Sequence, residues 1–164
     1  AKIKNNFLEE NHLQGKDHSL IKLGLYYNND LLSVMTFGKT RYNKNYEWEM
    51  IRFCNKKYYN IIGGAGKLLK HFVKKYNPSS IISYADIRYS NGNLYEKLGF
   101  VYLYNSDPNY FYNKNKTILT RIQCQKHKLK KLLGNEFNEN KTEVQNMKDN
   151  GWQQVFDCGN MVYL

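Results

Sequence analysis

The sequence contains few cysteines and no long apolar run. Its three cysteines, Cys54, Cys124 and Cys158, form no C-x-x-C pair. An odd count without a paired motif argues against a disulfide scaffold or a zinc knuckle, and it favours a reducing compartment. No stretch approaches the roughly 20 apolar residues that cross a bilayer, and no signal peptide opens the chain. We therefore expect a soluble, cytoplasmic protein without a membrane anchor, and we predict no metal site.

Acidic residues are also scarce. The chain has 14 Asp and Glu against 25 Lys and Arg, which gives a net charge of +11. Such a charge favours polyanionic partners such as nucleic acid. An AT-rich genome offers a second explanation, because codon bias accumulates Lys and Asn all along a chain. Both explanations stay open. With 164 residues, of which 41% are hydrophobic, the chain is long enough for one domain with a real core.

Hydrophobic periodicity predicts a mixed α/β domain in the first hundred residues, with a sheet that is largely antiparallel at its start. The predicted elements are a helix over 5–12, a hairpin of strands 23–27 and 31–37, a strand over 48–54, a helix from the glycine turn to 76, a strand over 81–85, a short helix around 94–95 and a strand from 100.

The remaining residues predict a hairpin and two helices. Strands over 110–112 and 117–121 are followed by a basic, helical segment over 122–133. Thr142 and Gln145 have the spacing of a capping box, which predicts a helix ending at Asn150 and Gly151. We expect a core domain over residues 1–121 and a basic extension over 122–164 that packs on the same domain.

A glycine turn organises the first half of the chain. Gly63, Gly64, Ala65 and Gly66 lie between a predicted strand and an amphipathic helix. The helix is expected to turn Leu68, Leu69, Phe72, Val73 and Tyr76 inward and Lys67, Lys70, Lys74 and Lys75 outward. A helix that begins at such a turn points unpaired N–H groups outward, so the turn predicts an anion site.

Two motifs between residues 48 and 100 occur together in one known superfamily. Asn60, Gly63, Ala65 and Leu68 follow the spacing R/Q-x-x-G-x-G/A-x-x-L, with Asn60 in place of Arg or Gln. Residues 94–100, LYEKLGF, match an L-Y-x-K-x-G-F element almost letter for letter. This part of the chain resembles the core of the GNAT acyltransferase superfamily.

The resemblance implies a GNAT-like acyl-CoA N-acyltransferase fold, with a mixed central sheet flanked by helices and splayed beside the glycine turn. It implies acetyl-CoA or another acyl-CoA as the cofactor. The pyrophosphate would lie against Asn60, Lys67 and the turn formed by Gly63, Gly64, Ala65 and Gly66. The backbone of Arg52, Phe53 and Cys54 would face the pantetheine arm, and Tyr95 would protonate the leaving thiolate.

A narrower likeness concerns phage-encoded GNAT-like proteins. It is carried by residues 49–52, 83–86 and 92–95, and by His12 and residues 157–160 near the two ends. The first three segments are similar to phage proteins that include Mom-type DNA base-modification enzymes and GNAT-like modules of phage homing-type nucleases. His12, with Gln14 and Gly15, and residues 157–160 are similar to the nuclease-associated modules. The likeness implies DNA and a fused or separate nuclease domain as partners.

Several polar residues are candidates for catalysis or for nucleic-acid binding. Glu49 and Asp86 are candidate general bases; a solvated strand glutamate and a turn or capping aspartate are the plainer interpretations. Basic side chains that would track a nucleic-acid backbone, or that simply lie in solvent, are Arg41, Lys44, Arg88, Lys126, Lys128, Lys130 and Lys131.

Three functions remain open from the sequence. The first is an acyl-CoA-dependent transferase that acts on nucleic acid or on an amine bound to it. The second is a non-catalytic DNA-binding or specificity module of a phage homing-type endonuclease. The third is an N-acetyltransferase for small molecules or proteins, whose basic charge is merely compositional.

Overall fold

Contacts divide the chain into two compact units. The computed structural model describes all 164 residues; one unit holds residues 1–105 and 161–164, and the other holds residues 106–160. The expected boundary between 121 and 122 falls inside the second unit. The reason is that the strand over 110–114 pairs with residues 117–120 on one side and with 153–156 on the other, in a sheet of its own.

The helices and strands follow the predicted order, with small shifts at their ends. They are α1 (Lys2–Asn11), β1 (Ile21–Tyr27), β2 (Asp30–Lys39), β3 (Trp48–Asn55), α2 (Gly64–Tyr76), β4 (Ile81–Asp86), α3 (Asn93–Lys97), β5 (Tyr102–Asn105), β6 (Tyr110–Lys114), β7 (Thr117–Thr120), α4 (Lys126–Leu133), a 3₁₀ turn (Gly134–Glu136), α5 (Glu143–Asp149), β8 (Gln153–Phe156) and β9 (Asn160–Tyr163). No helix combines the length and the apolar character that crossing a membrane demands.

A six-stranded mixed sheet forms the centre of the first unit. Its strand order is β1-β2-β3-β4-β9-β5. The β1–β2 and β2–β3 pairs are antiparallel, whereas β3 and β4 are parallel. Asn28 and Asn29 both have positive φ in the first hairpin, a conformation that asparagine tolerates. The prediction of an α/β fold with a mixed sheet flanked by helices is therefore confirmed.

The core of the first unit lies between this sheet and α2. Leu68, Leu69 and Phe72 are buried, and the Phe72 ring stacks on Phe37 with centroids 3.6 Å apart. The prediction for Val73 was wrong, because this side chain lies at the edge of the apolar face and is 43% exposed. The helix ends at Tyr76, because Asn77 has a positive φ and Pro78 follows it.

The second unit has a separate small core. Strands β7, β6 and β8 form its sheet, and Tyr112, Cys124, Leu129 and Met147 are buried together. The predicted capping box is confirmed: the Gln145 N–H donates to Thr142 Oγ1, and the Thr142 N–H donates to Gln145 Oε1. The basic segment is helical only from Lys126, since residues 121–124 form turns.

Candidate functional site

Strands β3 and β4 part after a short parallel contact. Trp48, Glu49 and Met50 pair with residues 81–83, and no pairing continues beyond Met50. The Ser83 hydroxyl donates to the Met50 carbonyl at 2.9 Å, at the point where the strands diverge. The backbone of β3 from Ile51 onward therefore has a free edge toward β4, and a cleft opens between the two strands.

A β-bulge in β3 lies at the same point. Thr36 pairs with Arg52 and Phe37 pairs with Met50, so Ile51 is an extra residue opposite β2. A bulge shifts the alternation of side chains by one position. Met50 and Phe53, three residues apart, consequently share the core packed against α2, and Arg52 lies on the opposite face.

The cleft is small and is lined by both polar and apolar side chains. Its volume is about 250 Å³. The lining side chains come from the loop after α1, from β3, from the end of β4 and from α3: His12, Leu13, Gln14, residues 50–53, residues 84–86, Tyr89, Ser90, Leu94 and Tyr95. Of the sequence-predicted site residues, the structure brings Arg52, Phe53, Asp86 and Tyr95 together here.

Tyr95 is held in the cleft by its ring and presents its hydroxyl at the point where β3 and β4 part. The ring stacks on Tyr163 with centroids 4.8 Å apart and meets Phe100 edge to face. The hydroxyl lies within hydrogen-bonding reach of the Ser83 side chain. Burial raises the pKa of Tyr95, while Ser83 and the Arg52 charge act in the opposite direction. Tyr95 therefore carries its proton at neutral pH and can donate it.

The N-terminus of α2 supplies free backbone donors. Gly63, with φ of 71°, begins the turn, and the N–H groups of Gly64 and Lys67 donate to Ile61 and to Gly63. The N–H groups of Ala65 and Gly66 donate to no acceptor in the protein. A helix start with unpaired N–H groups and a positive dipole end attracts anions.

This helix start lies beside the end of β3. Ser33 links the two, because its hydroxyl donates to Asn55 Oδ1 at 2.7 Å and lies 3.3 Å from where a Cβ on Gly64 would be. Asn60 and Lys67 are exposed near the turn. The Cys54 side chain packs against the core around α1, and burial raises its pKa to about 12, so the thiol stays protonated.

Glu49 is a buried carboxylate that pairs with the partly exposed Arg41. Its side chain is 1% exposed, and Arg41 Nε and Nη2 both donate to Oε1. The backbone N–H of Arg41 donates to Oε2 at 3.0 Å. Because both oxygens accept hydrogen bonds, the carboxylate serves as an anchor for the loop after β2. This geometry does not support the predicted role of Glu49 as a general base.

Asp86 has a similar arrangement at the lip of the cleft. Arg88 Nη2 lies 2.6 Å from Oδ2, and Arg88 Nε donates to Oδ1 at 3.0 Å. The hydrogen bonds from the Arg88 side chain hold the pKa of Asp86 below its ordinary value. A carboxylate with a lowered pKa is a weaker proton acceptor, so the case for Asp86 as a base is also weakened.

The basic residues singled out in the sequence lie on both units. Arg41 and Arg88 are engaged with Glu49 and Asp86, and the Lys44 ammonium donates to the Thr40 carbonyl. In the second unit, α4 carries exposed Lys126, Lys130 and Lys131 and a partly buried Lys128. In the first unit, the lysines on the outer face of α2 (Lys67, Lys70, Lys74 and Lys75) are exposed as predicted, with no carboxylate within 4 Å.

The bulge and the cleft-facing side chain of Arg52 were not expected from the sequence. A glycine in β2 was the available signal, because Gly38 leaves room for the side chain of Ile51: a Cβ on Gly38 would lie 2.8 Å from Ile51 Cδ1. Glycine inside a strand pattern often marks such a bulge or a close approach.

No protein-family model and no curated protein matches the chain at a significant level. The site must therefore be interpreted from its own geometry and from the sequence motifs.

Replacing Glu49 with Gln should destabilise the protein. The substitution keeps the shape but leaves Arg41 without its counter-charge, and we expect a loss of about 1–3 kcal/mol, below the range for a fully buried pair because Arg41 is partly exposed. Urea unfolding measures the change, with Glu10→Gln on the exposed face of α1 as the control. Equal stability of the Glu49 variant and the wild type would contradict the anchoring role.

Protonation of His12 should make the protein less stable in acid. Burial and the neighbouring Arg52 charge lower the pKa of His12 from 6.5 to about 4. The unfolded chain therefore takes up the proton first, so the free energy of unfolding falls as the pH drops from 6.5 to about 4. His12→Asn, whose Oδ1 can replace Nδ1 as acceptor, should lose less stability over this range. If the free energy of unfolding changed equally with pH in the wild type and in His12→Asn, the loss of stability would not come from His12.

Proposed function

We propose that the first unit is an acyl-CoA-dependent N-acyltransferase of the GNAT type, similar to phage-encoded members, and that its acceptor is an amino group on nucleic acid or on a nucleotide. The free edge of β3 would bind the pantetheine arm, and the start of α2 would bind the pyrophosphate. The acceptor nitrogen would attack the thioester carbonyl, and the C–S bond would break to release the CoA thiolate.

One observation carries this proposal: two parallel strands diverge beside a helix start whose N–H groups are unpaired. In most sheets a buried strand edge is paired, because an unpaired backbone group is costly away from water. Here residues 52–54 have no strand partner on the side of β4, and the N–H groups of Ala65 and Gly66 have no acceptor in the protein, so both can bind a ligand. An extended amide-containing arm that ends in a diphosphate supplies both.

Tyr95 can donate one proton and accept another, so the reaction needs no separate carboxylate base. Its hydroxyl would protonate the departing sulfur, and the proton lost by the acceptor nitrogen would return to the Tyr95 oxygen. This balance matters because Glu49 and Asp86 are both engaged by arginines. The backbone N–H groups near the bulge at Ile51 would polarise the thioester carbonyl.

The charge of the cleft favours an acceptor that is already neutral. An alkyl ammonium such as lysine, with a pKa of about 10.4, must lose a proton before attack and would be repelled by Arg52. The exocyclic amino groups of nucleobases are uncharged at neutral pH and need no such step. The proposed acceptor class follows from this difference, and it agrees with the net charge of +11.

A non-catalytic DNA-binding module is the second candidate. Two observations favour it. Glu49 and Asp86 are both paired with arginines, and Asn60 stands where the resembled family has Arg or Gln. The row of exposed lysines on α2 would then contact phosphates and not a cofactor.

A charge placed at residue 66 should discriminate between these functions. A Cβ at Gly66 would meet no atom within 4 Å, so Gln and Glu should both fold and both favour the helix. Acetyl-CoA should raise the melting temperature of the wild type and of Gly66→Gln. In Gly66→Glu the response should weaken by about 1–3 kcal/mol of binding free energy, as expected for like charges about 5 Å apart at an intermediate dielectric constant.

The outcomes of this comparison separate the two candidates. A ligand present at about 100 times its Kd adds about 2.7 kcal/mol of stability, so binding is readily detected. No shift of the wild type with millimolar acetyl-CoA would contradict the transferase proposal. Salt-dependent binding of duplex DNA in that case would favour the second candidate.

Removal of the Tyr95 hydroxyl should slow turnover and spare binding. Tyr95→Phe retains the stacking on Tyr163, so affinity for acetyl-CoA should change little, while kcat for CoA release with a single-stranded oligonucleotide should fall about 10²-fold or more. Tyr163→Phe is the matched control, since its hydroxyl contacts Met161. Equal turnover of Tyr95→Phe and the wild type would exclude Tyr95 as the acid.

A further inference from the structure

Arg52 is a partly buried cation with unused hydrogen-bond donors. It lines the cleft, and its Nε is buried without an acceptor. Nη1 donates to the carbonyl of Ile51 at 2.9 Å, whereas Nη2 donates to no protein atom. A guanidinium has five N–H donors and no acceptor, so most of its capacity is left for a ligand.

The charge of Arg52 is also uncompensated. The carboxylates whose charges act on it are those of Asp17 and Glu49. Asp17 pairs with Lys4 at 2.9 Å and accepts from the Thr36 hydroxyl, and Glu49 pairs with Arg41. Burial, followed by repulsion from Arg41, lowers the pKa of Arg52. Unpaired cations are costly to bury, so an anion beside Arg52 would be stabilising.

His12 adds a second donor to the same cleft. The N–H of Gln14 donates to His12 Nδ1 at 3.0 Å, so the neutral ring carries its proton on Nε2. No protein atom accepts from Nε2. The ring is neutral at physiological pH because its pKa is lowered to about 4. The cleft therefore presents an N–H donor beside a guanidinium, with no acceptor between them.

We propose that Arg52 and His12 bind an oxyanion, a carboxylate or a phosphate, which the acceptor substrate carries. The assignment of this group to the acceptor rests on the proposed function; the oxyanion site itself does not. A planar guanidinium holds either group through two parallel hydrogen bonds. The volume of about 250 Å³ admits the reacting end of an acceptor with its anionic group, and it is too small for a whole dinucleotide.

The Nε–H signals of the arginine side chains report on this site directly. The chain has four arginines, Arg41, Arg52, Arg88 and Arg121, and the variant Arg52→Gln identifies the signal of Arg52 by its loss. Sodium phosphate and sodium acetate are titrated separately at constant ionic strength, with sodium chloride as the reference. We expect the Arg52 signal to move downfield with phosphate or acetate, and the other three signals to stay in place.

The relative response to the two anions distinguishes a phosphate-bearing acceptor from a carboxylate-bearing one. An Arg52 signal that moves with neither anion would overturn the proposal. A second measurement is the melting temperature without ligand, which Arg52→Gln should leave equal or raise, because it removes an unpaired charge. A lower melting temperature would show that Arg52 is structural and would also overturn the proposal.

A third titration is done with acetyl-CoA present. The anion response should persist if the site belongs to the acceptor, and a response abolished by bound acetyl-CoA would contradict that assignment. If acetyl-CoA does not bind at all, the proposed function fails, and the first titration still decides whether Arg52 and His12 form an oxyanion site.

Discussion

The divergence of β3 and β4 is the constraint on which the rest of the first unit depends. Only three residues of β3 pair with three residues of β4. Beyond them, the Ser83 hydroxyl donates a hydrogen bond to the Met50 carbonyl, which would otherwise be available to a continuing strand. The bulge at Ile51 bends β3 at the same place. The result is a free backbone edge that faces Tyr95 on one side and leads to the start of α2 on the other.

The ion pairs around the cleft hold its rim in place and leave one arginine without a carboxylate partner. Glu49 and Asp86 are each engaged by an arginine close to them in the chain, which fixes the loops at the rim. Of Arg41, Arg52 and Arg88, only Arg52 has no carboxylate within 4 Å. An anion bound to Arg52 would offset the cost of burying its charge. In the proposed function, Arg52 would recognise the acceptor and Tyr95 would transfer the proton, so the two roles fall to different side chains.

Much of the fold could be predicted because its signals are local. The Asn28–Asn29 turn, the glycine turn before α2 and the capping box at Thr142 are set by residues within a few positions of each other. The site was less predictable. The Arg41–Glu49 pair joins a loop to a strand, and no local pattern marks it. The order of apolar and polar residues in β3 gives no sign of the bulge at Ile51. Arg52 was expected to contribute its backbone; its side chain became relevant only once the bulge had turned it toward His12.

A crystal structure of the protein with acetyl-CoA tests the central claim most directly. The account predicts a pyrophosphate against the N–H groups of Ala65 and Gly66, and a pantetheine arm hydrogen-bonded to the free edge of β3 with its thioester near the Tyr95 hydroxyl. An empty cleft at saturating acetyl-CoA, or a cofactor bound elsewhere on the surface, would contradict it.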